Sequence, residues 1–453
     1  MTLNELLTEE FLRKRFKHKI AKGHAVGLDG ISVDSFANRL DDEIVLIQRK
    51  IENLSYRFTP FKEKLIPKGK GSLPRVVHIP TVRDRLVLSV RNSYLNHCFR
   101  EELTLHQATV QNNVSAIRSA IDSEYYDGFL KLDVKQFFPS LDHDILLAKL
   151  KEKISDPMVI SLLKKSLNRS QQGIAQGLSI ASVLAAIYLN EVDREFKSRT
   201  SIRYFRFVDD ILILCKASEA KQIESDMQQR MQALKLDLHP MKIGGKSEIG
   251  QLKKDELEYL GFVFKGESLS VRKTSVDRLR NRLIQLVNRF KHEYPSYKKA
   301  DLDEFYRKLN LKITGCLYRD KQYGWLFFFH QINDLTLLHH LDWFVQKILN
   351  QTGIPYKKSK VKSFVKSYFE ISSLKPERLN ETSYIPSFYS KDERLESIFD
   401  DLEVEASEEN IEEVDNSNVE EVMALLKRNA NSGKTISDIE AMIIELEGDV
   451  VVY

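Results

Sequence analysis

The 453 residues include only three cysteines, Cys98, Cys215 and Cys316, and they are scattered. No two have the spacing of a metal knuckle, and three lone thiols make no disulfide framework. A stapled secreted fold and a cysteine metal site are thereby excluded. No apolar run approaches the roughly 20 residues that span a bilayer. The N-terminus shows no signal peptide pattern, so the expected compartment is the cytoplasm, with no membrane partner. Ser432-Gly433-Lys434-Thr435 has the end of a phosphate loop but not its beginning. The earlier glycine falls at Arg428, and no strand precedes it. What is present, 42% hydrophobic beside 30% charged residues, is a globular composition with enough chain for two or three subdomains.

The net charge of +4 conceals a division. Residues 396–453 carry 17 acidic and 3 basic side chains, which leaves +18 on the other 395 residues. A body that basic attracts a polyanion in a salt-dependent way. From Glu396 to Glu421 there are 12 acidic residues and no basic ones, the composition of a solvated linker or interaction tail. Helical apolar spacing resumes at 419–429 and 435–447, the latter with Ser437 and Glu440 in capping-box register. Such a tail can bind a partner, another copy of the chain, or the basic body itself.

The most informative stretch is Tyr204-Phe205-Arg206-Phe207-Val208-Asp209-Asp210-Ile211-Leu212-Ile213-Leu214. It reads as strand, tight turn, strand, with two adjacent carboxylates at the turn. Adjacent carboxylates repel, and each loses hydration if buried unpaired; a divalent cation removes both costs. An Asp-rich turn without any cation is the simpler alternative. A third carboxylate, Asp133, ends the apolar strand Phe129-Leu130-Lys131-Leu132-Asp133, and Phe138 follows five residues later. Between these lies Gly173-Ile174-Ala175-Gln176-Gly177-Leu178-Ser179, which leads into an apolar helix ending near Asp193. Because successive strand residues alternate in direction, Asp210 is expected to be a less direct ligand than Asp209.

In order and spacing these segments resemble the three palm motifs of reverse transcriptases, bacterial ones in particular. The first is Leu132-Asp133-Val134 through Phe138, the second Gln176-Gly177 with Ser179 and Ser182, the third Phe207-Val208-Asp209-Asp210. Leu238-His239-Pro240-Met241-Lys242 resembles the next motif, and Tyr259-Leu260-Gly261-Phe262 the primer-contacting hairpin. Leu65-Ile66-Pro67-Lys68 and Arg75 through Arg85 are similar to the fingers of group II intron and related enzymes, and Gly27-Leu28-Asp29-Gly30 to their N-terminal signature.

The resemblance implies an α+β right-hand polymerase. Fingers with N-terminal helices would occupy residues 1–125, an antiparallel-sheet palm 126–270, a helical thumb 271–370 and an acidic extension 371–453. It implies RNA-directed DNA synthesis from dNTPs, with two Mg2+ ions held by Asp133, Val134, Asp209 and Asp210. Hard cations take oxygen ligands, and two of them suit an in-line phosphoryl transfer. Lys242 would be the acid for departing pyrophosphate. Lys68, Arg75, Phe138, Gln176 and Gly177 would bind the dNTP. Phe138 would lie under the sugar, although an ordinary core aromatic reads the same. Arg75 is preferred for the triphosphate because a guanidinium fork suits phosphate.

Tyr259 and Gly261 would contact nucleic acid, together with Arg278, Arg282 and Arg289 on a thumb helix capped by Ser275. On that helix Val276, Leu279, Leu283, Leu286 and Phe290 form the apolar stripe. The basic stripe either tracks template–primer backbone or is a solvated face.

Departures from the family pattern are Phe207 for the usual Tyr, Val208 for a small residue, and Arg75-Val76-Val77 in place of Arg-Pro-Leu. No HNH-type signature is evident. Ile313-Thr314-Gly315 faintly resembles a retron thumb. Tyr323-Gly324-Trp325-Leu326-Phe327 and His340-Leu341-Asp342-Trp343-Phe344 look like the thumb of defence-linked bacterial enzymes. The expected role is antiviral defence on a dedicated non-coding RNA template that yields a DNA product, with a companion protein or a homo-oligomer as a further partner. A mobile-element enzyme, an RNA-dependent RNA polymerase and a non-catalytic nucleic-acid scaffold are the alternatives.

Overall fold

The computed structural model describes residues 2–373 and 384–387, apart from residue 4 and segments 22–24, 67–73, 105–107, 168–171 and 319–320. Lys68 and nearly all of the acidic extension therefore lie outside the described residues. The chain divides into two compact units, Met1–Asp255 and Glu256–Tyr453.

The first unit opens with α1 (Glu9–Arg15), α2 (Val33–Ala37) and α3 (Leu40–Glu52). Thr8 and Ser32 cap α1 and α2, each accepting a hydrogen bond from a backbone N–H three residues on. Ile44, Ile47 and Ile51 give α3 its buried face. Next, β1 (Lys62–Ile66) and β2 (Arg75–Ile79) pair antiparallel, from Lys62 opposite Ile79 to Ile66 opposite Arg75. Thr81 starts α4 (Val82–Cys98): its hydroxyl oxygen accepts from the Asp84 N–H at 3.2 Å and its O–H donates to the Asp84 carboxylate at 2.9 Å. Helices α5 (Arg100–Thr104) and α6 (Val110–Asp122) lead to the central sheet.

That sheet has the order β4-β5-β3-β6, all antiparallel, from β3 (Gly128–Asp133), β4 (Arg203–Phe207), β5 (Asp210–Cys215) and β6 (Glu248–Gln251). Leu130, Leu132, Ile211, Ile213 and Cys215 join one core with Leu184, Tyr188 and Met227. Those partners come from α10 (Ala181–Ser198) and α11 (Ala220–Ala233). Leu212 and Leu214, on the alternate side of β5, are also fully buried, which explains an apolar run without polar alternation. The Lys131–Glu248 ion pair, at 2.7 Å, ties β3 to β6 at facing positions. Between the strands lie α7 (Phe137–Ser140), α8 (His143–Lys151) and α9 (Pro157–Ser166).

The second unit begins with a three-stranded antiparallel sheet of β7 (Leu257–Tyr259), β8 (Phe262–Lys265) and β9 (Ser268–Val271). Leu260 and Gly261, with φ of 51° and 84°, make the two-residue turn expected there, of the type with both central residues left-handed. Helix α12 (Lys273–Glu293) starts before the expected cap: Ser275 is buried inside its first turn, and Arg272 occupies the cap position. Its apolar face also shifts slightly, with Val287 buried and Leu286 half-buried.

Then follow α13 (Lys299–Thr314), β10 (Cys316–Tyr318), β11 (Lys321–Tyr323), α14 (Trp325–Phe328), α15 (Leu335–Gln351) and α16 (Phe364–Ser373). Two of the thumb-like segments meet here. A Cβ on Gly324 would stand 2.6 Å from the Gly315 Cα, so both positions need glycine for backbone contact. Strands β7–β9 belong to the second compact unit.

Candidate active site

Asp133 ends β3 and lies directly opposite Asp210, the first residue of β5. Facing residues in an antiparallel pair share one side of the sheet, at a strand spacing of roughly 4.8 Å. Asp209 is not a strand residue. Phe207 pairs with Asp210, and Val208 and Asp209 form the two-residue turn between them. The expected alternation of Asp209 and Asp210 therefore does not arise. Val208 has φ of 58°, a left-handed conformation that a β-branched residue strongly resists. Such backbone costs on the order of 1–3 kcal/mol and persists only where its surroundings hold it.

The electrostatics converge on the same place. Burial pushes the Asp209 carboxyl above the usual carboxylate range, and the Asp133 charge pushes the same way. Its own backbone N–H, Arg75 and Lys246 act in opposition. Arg75 begins β2, so its influence on Asp209 ties the hairpin of β1 and β2 to the carboxylates. Lys246 Nζ lies 2.7 Å from Asp133 Oδ2, and His239 Nε2 is 3.4 Å from the same oxygen. Burial and then Lys246 hold the His239 imidazole below its ordinary value, which favours its neutral form.

The sequence reading named Lys242, as the acid for departing pyrophosphate, and did not name Lys246. The Lys242 N–H donates to the Ser247 carbonyl at 2.9 Å, and the Gly245 N–H to the Lys242 carbonyl at 2.8 Å. The Gly244 N–H binds the Glu248 carboxylate at 2.8 Å. This turn returns the chain to the sheet, where the buried Ser247 Oγ accepts the Asp133 N–H at 3.1 Å. Lys246 is thus delivered to Asp133, while the Lys242 side chain is exposed and makes none of these ion pairs. The signal was the Gly244-Gly245 pair, a turn that brings Lys246 back to the strand.

The bridge between Val134 and Leu238 does not use the Val134 carbonyl. Its bonds run from the Lys135 N–H to the Asp237 carbonyl and from the His239 N–H to the Asp133 carbonyl. Phe137 is buried, whereas Phe138, beside it in α7, is half-buried. The Gln176 carbonyl accepts the His78 N–H at 2.7 Å, which fastens this segment to β2. Gly177 has φ of 100°, and a Cβ there would meet Val77 Cγ1 at 2.7 Å and the His78 oxygen at 2.9 Å. Gln176 and Gly177 are therefore held by backbone contact against the strand that Arg75 begins.

Among the described residues, no three His, Cys, Asp or Glu side chains are gathered closely enough to hold a metal ion. Residues 66–264 match the family model described as "Reverse transcriptase (RNA-dependent DNA polymerase)". Over this stretch the chain is similar to reverse transcriptase domains. Protein YkfC of Escherichia coli K12 is 24% identical over 257 residues, 45% of this chain and 66% of that protein. The group II intron-encoded protein LtrA of Lactococcus lactis subsp. cremoris is 24% identical over 188 residues, 36% of this chain and 30% of LtrA. An uncharacterized 91 kDa protein in the cob intron of Schizosaccharomyces pombe is 30% identical over 190 residues, 37% of this chain and 21% of its own length. The chain thus spans less than a third of these two intron proteins and about two thirds of YkfC. Apo telomerase from Candida tropicalis aligns over 90% of this chain and 74% of its own, at 12% identity and a TM-score of 0.42.

The candidate nucleic-acid residues lie in the second unit. The Tyr259 ring is buried in the small sheet, where alternation in β7 points it into the core. Gly261 is also buried, and what it supplies is the left-handed turn already described. Arg278 and Arg282 are half-buried and Arg289 is exposed. Burial, with Arg272 and Arg282 adding like charge, lowers the Arg278 guanidinium below its ordinary value. A crowded cationic face of this kind gains from an anionic partner.

No described helix is long and apolar enough to cross a membrane.

Proposed function

We propose that this chain is an RNA-directed DNA polymerase that adds dNTPs to a 3′-hydroxyl at the Asp133–Asp209–Asp210 site. The observation that carries the reading is the Asp133–Asp210 register beside the Asp209 turn, inside a matched reverse transcriptase domain.

The donor set fits a hard divalent cation. Asp133 Oδ2 has a Lys246 ammonium against it, a positive charge standing where two neighbouring carboxylates require one. Magnesium is commonly held by one or two carboxylates plus substrate phosphates, so a complete protein cage is not required. Asp133, Asp209, Asp210 and the Val134 carbonyl would hold the ions, two Mg2+ in this reading. When bound, they supply charge stabilisation to the attacking and leaving oxygens. The chain's own residues bind and orient. Arg75 offers a guanidinium to the triphosphate, Gln176 and Gly177 form the pocket wall against β2, and half-buried Phe138 offers a ring face to the sugar. Lys242, exposed at the turn, stays the candidate proton donor by family resemblance, and Lys246 joins it by position. Lys68 is carried by sequence alone. Arg278, Arg282 and Arg289 would follow the template–primer backbone in a thumb beginning near residue 271.

For biological role, the reading is a cytoplasmic antiviral defence enzyme with a dedicated non-coding RNA template, supported by the thumb-like segments around Trp325 and Trp343. A companion protein or a second copy of the chain would complete the response. The intron-derived relatives favour a second reading, a mobile-element reverse transcriptase. Sequencing RNA that copurifies with the protein, alongside phage challenge of the native locus with and without Asp209→Asn, separates them. One discrete RNA and Asp209-dependent protection support defence. A heterogeneous RNA population without protection supports the mobile-element reading.

A further inference from the structure

Beneath the Asp209 turn lies a buried charge pair that the polymerase motifs do not use. Asp193, on α10, is fully buried, and the Arg206 side chain, on β4, is 3% exposed. Arg206 Nε donates to Asp193 Oδ1 at 2.7 Å, and Nη2 donates to Asp193 Oδ2 at 2.5 Å. Tyr204, two residues earlier and on the same face of β4, adds its hydroxyl to Asp193 Oδ1 at 2.7 Å. The remaining guanidinium nitrogen, Nη1, donates at 2.7 Å to the carbonyl of Val208, the residue held at positive φ. The guanidinium is planar, so seating two of its nitrogens on Asp193 fixes where the third can point.

We infer that Arg206, seated on Asp193, is a positioning residue that clamps the Val208 carbonyl and so sets the direction in which the turn presents Asp209 and Asp210. A buried ion pair is a weak route to stability, since well-packed apolar residues often do as well. A third bond to a strained backbone carbonyl gives this pair a geometric task. Helix α10 also follows closely on the Gln176-Gly177 segment, so the clamp ties both sides of the site to one helix.

The inference rests on the polymerase reading for its kinetic effect but not for its structural one. The test uses the full-length protein and three variants: Arg206→Lys, Val208→Gly, and the two combined. Lysine keeps a charge for Asp193 but has no third rigid donor for Val208, and glycine accepts the left-handed turn without a clamp. Hydrogen exchange at residues 210 and 211 is expected to speed up by about tenfold in Arg206→Lys, with β3 unchanged. Its kcat should fall by about tenfold or more with little change in KM for dNTP. The double variant should recover part of both losses.

Unchanged exchange and kcat in a folded Arg206→Lys would overturn the clamp. So would an effect of Val208→Gly that has the same sign and size with and without Arg206→Lys. If Arg206→Lys does not fold, the native protein decides. Its amides at 210 and 211 should exchange with the slowest class of β3, and loop-like exchange there would overturn the inference. Altered exchange in a protein with no polymerase activity would sustain the clamp and reject the polymerase reading.

Discussion

Lys246 places its ammonium 2.7 Å from the carboxylate of Asp133, the residue that faces Asp210 across the sheet. A cation arriving at Asp133 must displace or share that contact. The lysine side chain is 66% exposed, so the pair is worth only about 0–1 kcal/mol. Lys246→Met should therefore tighten Mn2+ binding, read by titration calorimetry without nucleotide, by roughly twofold to fivefold. Weaker binding in the variant would show that Lys246 organises the cation site and does not compete for it.

Asp209→Asn is expected to raise the melting temperature of the metal-free protein at neutral pH. Asp209 is half-buried beside Asp133, and burial together with that second charge disfavours its ionised form. Removing the charge relieves both costs while keeping the side-chain shape. Melts in chelator check this, and a lower melting temperature would mean that the Asp209 charge has stabilising partners in the metal-free state.

Adjacent phenylalanines should behave differently. Phe137 is 2% exposed, so Phe137→Ala should cost about 3–5 kcal/mol of stability. Phe138 is half-buried, so Phe138→Ala should cost less and instead admit ribonucleotides by opening space beneath the sugar. Denaturant unfolding and matched rNTP and dNTP incorporation read the two effects. Unchanged sugar discrimination in folded Phe138→Ala would remove it from the pocket.

Gly177→Ala should damage the site through the backbone. Its φ of 100° and the contacts a Cβ would make with Val77 and His78 are both unfavourable. The strained conformation alone costs on the order of 1–3 kcal/mol. The expected result is a lower melting temperature and a raised KM for dNTP; a variant with native values for both would show that the segment relaxes freely.

The hairpin around Asp209 was legible because its information is local: two apolar runs flank a short polar pair, and period-two patterning fixes the strands. The hairpin at Leu260-Gly261 was marked by family resemblance and not by pattern. Lys246 was not legible, because the Gly244-Gly245 turn brings it to Asp133, and turn direction leaves little trace in hydrophobic pattern. The Asp193–Arg206 pair depends on how α10 packs on β4, a tertiary fact. Family likeness marked Tyr259 for contact, and the burial of its ring by alternation in β7 was not read from the sequence. The start of α12 was misplaced because Ser275 has the chemistry of a cap, yet the chain enters the helix at Lys273.

The most direct measurement is extension of a DNA primer on an RNA template by the purified chain with Mg2+ and dNTPs, beside folded Asp133→Asn. Template-directed extension by the native protein and none by the variant is the expected result. Comparable extension by both, or none by the native protein on any RNA template and primer supplied, would contradict a polymerase site built on Asp133, Asp209 and Asp210.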